Sequence, residues 1–153
     1  IVAEGQEDQM HHYLHGDLAE VFLKPKANTW YWELYVTPHD KKTAFWFPGI
    51  GRLGLESNNT YEMELDVAGD CQGTLNTWRD KDTLWTGEMA APIEELERYG
   101  DVFAEEGAWT IFVARYNYSR YLHTRGAETS SAPQLPMTNW HYHDGYATLQ
   151  LAQ

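Results

Sequence analysis

The sequence predicts an all-β fold: an antiparallel two-sheet β-sandwich of jelly-roll or immunoglobulin-like kind, carrying one short helix. Three observations predict it. Apolar and polar residues alternate with period two along most of the chain, turn-rich stretches separate short runs, and a helical signature occurs once. In chain order the strand candidates are "DLAEVFLK" (17–24), "TWYWELYV" (29–36), "TAFWF" (43–47), "YEMELDVA" (61–68), "GTLN" (73–76), "LWTGEMAAP" (84–92), "AWTIFVARYN" (108–117) and "YATLQL" (146–151). In the second of these, Trp30, Trp32, Leu34 and Val36 share one face and Tyr31, Glu33 and Tyr35 the other; such alternation suits a half-buried strand. Between the runs lie "TPHDKK", "PGIGRLGLESNN" and "RDKD", rich in residues that favour turns. The helix is "PIEELERYG" (92–100), with Pro92 at its start, acids in its first turn and Gly100 just past its end. The stretch "RGAETSSAPQLPMTN" (125–139) has no periodic pattern and is expected to be a loop.

Composition narrows the function. At 153 residues the chain has the length of one domain, spanning 1–153, and can bury a core of its own. Its 11 Lys and Arg against 23 Asp and Glu give a formal charge of -12, which repels phosphate backbones and argues against nucleic acid and anionic membranes as partners. No apolar run approaches the roughly 20 residues of a spanning helix, so no membrane insertion is expected. A single cysteine, Cys71, excludes an internal disulfide. The 7 Trp and 10 Tyr exceed what one core of this size usually needs, which points to some rings at a surface site.

Three places could carry that site. In "TNWHYHDGY" (138–146), Trp140 stands among His141, His143 and Asp144, a polar setting in which a tryptophan can act as a platform for a flat ligand. In "AWTIFVARYN" the face holding Trp109, Ile111 and Val113 ends in Arg115 and Asn117. In "DLAEVFL" Glu20 falls between Leu18 and Phe22 on one face, and an inward carboxylate needs a partner, for which Arg115 is the expected group. A structural ion pair would satisfy the same pattern.

Taken together, "HGDLAEVFLKP", "WYWELYVTP", "WTGEMAAPIEEL", "WTIFVARYNYSR" and "NWHYHDGYATLQL" resemble, in order and spacing, the family 9 type of carbohydrate-binding module, a β-sandwich found in secreted enzymes and cell-surface proteins. Members carry several strands ahead of the Gly-Asp segment. This chain instead begins Ile1-Val2-Ala3-Glu4, which reads as a processed or trimmed piece lacking those N-terminal strands. The resemblance implies a sugar held between two aromatic rings. Trp140 falls at one of those positions, Tyr13 stands at the other in place of the usual tryptophan, and Glu20, Arg115 and Asn117 match polar contact positions. Glu128, in the stretch leading to Trp140, joins them. The implied function is non-catalytic recognition of a saccharide, such as a polysaccharide chain end, by a module of a larger extracellular, periplasmic or cell-surface protein. A pyranose fits such residues physically, since its C-H faces suit a ring and its hydroxyl rim suits carboxylates and guanidinium.

Two other classes compete. A structural or assembly sandwich that has lost its ligand would be completed by its detached N-terminal segment or joined to a neighbouring chain through strand addition at an exposed edge. A metal protein could use His15, His141, His143 and Asp144, out of 7 histidines, although no ordered ligand spacing is present. Structural calcium, common in the family it resembles, would call on acids such as Asp66, Asp70, Asp80 and Asp82. A glycosidase would need two carboxyls across a scissile bond, for which Glu20 and Glu88 are the candidates. Glu88 lies opposite an apolar face in "WTGEMAAP", and no nucleophile elbow is visible, so no enzyme is expected.

Overall fold

A computed structural model describes residues 1–51, 63–103, 108–119 and 126–151. Its strands are β1 (Leu18–Pro25), β2 (Tyr31–Val36), β3 (Lys42–Phe47), β4 (Asp66–Gln72), β5 (Leu84–Ala90), β6 (Trp109–Tyr118), β7 (Ala127–Ala132) and β8 (Ala147–Thr148). Every pairing between them is antiparallel. One sheet runs β3-β2-β1-β6-β7, with β8 also paired to β6, and a second consists of β4 and β5. The chain is an all-β sandwich, as the period-two alternation predicts.

Each face of the larger sheet carries its own core. Toward the β4-β5 ribbon, Leu23, Trp32, Leu34, Ala44 and Trp109 pack with Leu65 and Leu96, and Val67 and Met89 come down from the ribbon. The ribbon approaches closely because Gly69 and Gly87 face each other in its register. A Cβ on Gly69 would stand 2.8 Å from the Thr37 carbonyl oxygen, and one on Gly87 would stand 2.8 Å from Val36. On the opposite face Leu18, Phe22, Tyr31, Tyr35, Phe45, Phe47 and Phe112 form a second core, closed from above by Tyr146 with Tyr13, Leu135 and Trp140 against it. Strand β2 is therefore buried along its whole length, on both faces. That differs from the half-buried strand expected: a central strand between two covered faces alternates by residue type without alternating in exposure.

The short helix, Ile93–Leu96, follows Pro92 at its N-cap and is succeeded by Gly100 at φ 101°, a left-handed conformation that glycine tolerates best. It contributes Leu96 to the ribbon-side core.

Three expected strands change. The "GTLN" stretch forms turns, "YATLQL" forms only the two-residue β8, and "YEMELDVA" enters β4 at Asp66, with Tyr61 and Glu62 outside the described residues. Conversely "AETSSA", expected within a loop, forms β7. Small polar residues with little apolar alternation suit an edge strand, which needs only one partner and leaves its outer side to water.

At the N-terminal side, Ala3 bridges to Gly16, and Asp17 accepts hydrogen bonds from the Val2 amide at 3.1 Å and the Tyr118 amide at 2.6 Å. The Gly-Asp pair thus ties the entry of β1 to the end of β6. Residues 11–14 are led from there onto the Tyr31/Tyr35 face, where Tyr13 stacks on Tyr116.

Trp109 is 1% exposed and packs edge-on to Trp30 and Phe103, with its indole N-H donating to the Val102 carbonyl at 2.9 Å. Trp109→Ala is expected to cost about 3 to 5 kcal/mol in urea unfolding. Trp140→Ala, which removes a half-buried ring, is expected to cost markedly less. Equal losses would place Trp140 in the core.

Candidate functional site

The face of the large sheet away from the ribbon holds a cavity of about 510 Å³. Its floor comes from β1, β2 and β6, and its rim from two irregular segments that the sheet holds in place. Glu20 lies opposite Tyr35 in the β1-β2 register, and Glu33 lies opposite Phe22, so both carboxyls point to the same side from adjacent strands. Both are buried, at 1% and 5% exposure, and both line the cavity. The Tyr35 hydroxyl donates to Glu33 Oε1 and also bonds the Glu20 carboxyl. Glu33 Oε2 is buried with no hydrogen-bond partner. Neither lysine nor arginine lines this cavity among the described residues.

Electrostatics follow from that burial. Desolvation raises Glu20 well above the ordinary carboxylate range, and the neighbouring Glu33 charge raises it further. Glu33 itself is pushed up to about 7 by desolvation, with the Tyr35 hydrogen bond opposing. The floor is a pair of carboxyls inclined to keep a proton near neutral pH.

Aromatic rings form one wall. Tyr13 stacks on Tyr116 with ring centroids 5.7 Å apart, and Trp140 meets Tyr116 edge-on at 4.6 Å. The three rings run in sequence along the cavity, with Tyr116 between the two that the sequence singled out. The Trp140 segment is fixed from below: Tyr146 stacks on Phe112 at 5.1 Å and donates its hydroxyl to the Trp140 carbonyl. His141 Nδ1 lies 2.8 Å from the Tyr31 hydroxyl and packs edge-on against Phe22 and Phe47. His143 sits edge-on to Tyr31 at 4.4 Å. Burial holds His141 below its ordinary pKa, and burial with the Lys24 charge lowers His143 to about 4, so both are neutral at physiological pH.

The structure divides the predicted binding residues between two places. Tyr13, Glu20 and Trp140 meet in this cavity. Arg115 and Asn117 do not: in the β1-β6 register Glu20 pairs with Ala114 and Arg115 with Ala19, which puts Arg115 and Asn117 on the ribbon face. The expected Glu20-Arg115 partnership is thus absent, because residues of odd and even number along β6 point to opposite sides. Arg115 instead donates to Ser130 Oγ at 2.7 Å, and Asn117 donates to Glu128 at 3.1 Å. Arg115 and Asn117 border a second cavity of about 550 Å³ that also receives Trp78 and Trp85. Trp140 stands over the sheet face.

Among the described residues no three His, Cys, Asp or Glu side chains converge as a metal site would require. His141 and His143 are turned against aromatic rings. Asp144 lies beside the second of them and His15 at the entry to β1. Of the acids considered for calcium, Asp82 holds the Ile1 amine and the Thr74 amide, while Asp66 and Asp70 lie on exposed positions of β4. Glu88 pairs opposite Ala68 on the ribbon, away from the carboxyl floor.

The sequence reading missed Glu33, Tyr35 and Tyr116. A signal for Glu33 existed: it sits between Tyr31 and Tyr35 on one face, as Glu20 sits between Leu18 and Phe22. The same rule that picked one acid would have picked the other.

Glu33 makes stability depend on pH with a definite sign. Between the ordinary value of 4.5 and about 7, the folded chain keeps a proton that the unfolded chain has lost. Glu33 therefore subtracts stability as pH climbs through this window, and the loss is complete above it. Buried His12, His141 and His143 act in the opposite sense, adding stability as pH rises toward 6.5. The Glu33 share is isolated by difference. Glu33→Gln should gain on the parent by roughly 2 to 3 kcal/mol between pH 4.5 and 8 in parallel urea titrations. A pH-independent gap would show that Glu33 titrates normally.

No protein-family model matches the chain, and no curated protein matches it. Among solved structures it is similar to the crystal structure of a candidate carbohydrate-binding protein from Bacteroides uniformis, with a TM-score of 0.65 and 16% sequence identity. The alignment covers 97% of this chain and 66% of that one, so the chain spans just under two thirds of the length of the protein it matches. At this identity the likeness establishes the fold, which is the sandwich described above.

Proposed function

We propose that the cavity over the carboxyl floor binds a saccharide, and that the chain is a non-catalytic recognition module of the family 9 type, acting within a larger secreted or surface protein. The observation that carries this reading is the meeting of Trp140, Tyr13 and Glu20 in one cavity, a wall of rings above buried hydrogen-bonding groups. A pyranose needs that combination: an aromatic surface for its C-H face and fixed polar atoms for its hydroxyls. The structural likeness to a candidate carbohydrate-binding protein supports it as a fold that can carry such a site.

Binding is favoured over hydrolysis by the placement of the acids. A glycosidase sets its two carboxyls on either side of the scissile bond. Glu20 and Glu33 stand side by side on neighbouring strands, bonded to one Tyr35 hydroxyl, and Glu88 lies outside the cavity. Both acids of the floor therefore address the same part of a ligand.

The residues that read the sugar differ from the original set. Glu33 and Tyr116 take places in the cavity, while Arg115, Asn117 and Glu128 belong to the other face. One hexose of about twelve heavy atoms at roughly -0.4 kcal/mol each gives about -5 kcal/mol, a dissociation constant of a few tenths of a millimolar.

A glycan array followed by calorimetry on the leading sugars tests the reading. Trp140→Ala and Glu20→Gln are each expected to weaken binding at least tenfold, whereas Arg115→Ala leaves it within about twofold. Loss of binding in Arg115→Ala with Trp140→Ala unaffected would move the site to the ribbon face.

A further inference from the structure

The cavity floor has one unmet need. Two buried carboxyls point into it from β1 and β2, one oxygen of Glu33 lacks any partner, and neither lysine nor arginine faces them among the described residues. The groups that do face the pair are the Tyr35 hydroxyl from β2, Tyr116 from β6, Tyr13 and His11 from the N-terminal segment, and His141 from the segment after Asn139. Of these, the Tyr35 hydroxyl is committed to the pair itself and His141 Nδ1 to Tyr31. The floor is thus rich in acceptors and poor in positive charge. A chain of net charge -12 adds an overall field that draws cations toward it.

We propose that the saccharide taken by this cavity bears a free amine, and that its ammonium group is held between Glu20 and Glu33. The inference rests on the saccharide reading above and narrows it to an amino sugar. An ammonium group supplies three N-H donors and a charge at one point, which suits two adjacent carboxyls, one of them with an unpartnered oxygen. A neutral sugar offers only hydroxyl donors and no charge to draw a proton off the pair; an N-acetylated one adds bulk and no charge. The ring wall of Tyr13, Tyr116 and Trp140 takes the apolar face of the same sugar.

The proton balance is explicit. Near pH 6 both carboxyls of the free chain are protonated, because burial lifts Glu33 to about 7 and burial together with the Glu33 charge lifts Glu20 well above its ordinary range. When an ammonium group enters, one proton leaves to the buffer: Glu33 becomes the carboxylate paired with the cation, and Glu20 keeps its proton and accepts through its carbonyl oxygen. A neutral ligand leaves the proton in place.

Calorimetry at pH 6, in two buffers of different ionisation enthalpy, tests this with three β-1,4-linked disaccharides: of glucosamine, of glucose and of N-acetylglucosamine. The glucosamine disaccharide should bind at least tenfold tighter than the other two and release close to one proton. Glu33→Gln should bring the glucosamine and glucose disaccharides, measured on the same variant, to within about twofold of each other. Equal affinity for the three sugars with no proton release overturns the amine and leaves the saccharide reading standing. Failure of all three to bind overturns both. Methylamine binding as tightly as the glucosamine disaccharide would overturn the amino-sugar assignment, since the rings would then contribute nothing. Proton release is read on the parent chain, so the outcome stands even where the variant folds poorly.

Discussion

The register of β1 between β2 and β6 is the constraint on which the rest of the structure depends. Glu20 opposite Tyr35 and Ala114 fixes which residues of three strands share the cavity face. A slip of one residue would exchange the faces of β1, sending Glu20 toward the ribbon and Ala19 and Val21 into the cavity. The register is held at both ends. Asp17 binds the Tyr118 amide just past the pairing of Leu18 with Tyr116, and at the far end Thr110 donates its hydroxyl to the Lys24 carbonyl at 3.1 Å. Between them Phe22 and Phe112 pack edge-on, a contact that a slipped register would lose.

With that register fixed, β2 becomes a central strand covered on both faces, and this is what makes Glu33 chemically unusual. A carboxylate on an exposed face would remain ionised and hydrated. Here its neighbours are Tyr31 and Tyr35, and its charged form is penalised by the loss of water. One hydroxyl serving two carboxyls does not repay that penalty, and a fully apolar residue would pack the same volume at less cost. An acid kept at such a position, facing a cavity, is the pattern of a group whose partner arrives from outside.

The fold was legible in the sequence because alternation is a local property. β1, β2, β3, β5 and β6 each emerge within a residue or two of their expected starts, and the helix emerges between its Pro92 and Gly100 signals. The site was legible only in part, because which face of one strand joins which face of another is decided by register, and register is not written in either strand alone. Glu20 and Arg115 each end an apolar face, and nothing in the two segments says that the faces are opposite ones. β7 was lost for a different reason. "AETSSA" is paired to β6 through its backbone, with Thr129 turned to the cavity and Ser130 bonded to Arg115, so its side chains carry no core signal. The histidines beside Trp140 contact the sheet through their rings, a packing that the segment's polar residue types do not announce.

Those histidines explain how an irregular segment can present a ring at a fixed tilt. Tyr142 turns back on Asn139 with a backbone bond of 3.0 Å, so Trp140 and His141 sit at the corner of a turn and both reach the cavity. His141 is anchored to the Tyr31 hydroxyl, Tyr146 lies flat on Phe112, and the same tyrosine holds the Trp140 carbonyl. Each anchor is a sheet residue of β2 or β6, or a ring stacked on one, so the wall and the floor of the cavity share one rigid support. That matters most for a small ligand. A sugar ring offers only a few kcal/mol of interaction, and ordering a loose loop on binding would consume much of it at about 1 to 2 kcal/mol per residue fixed. On the proposed reading the ordering is instead completed during folding, by the same aromatic contacts that close the core, so that one set of rings serves both the core and the cavity wall.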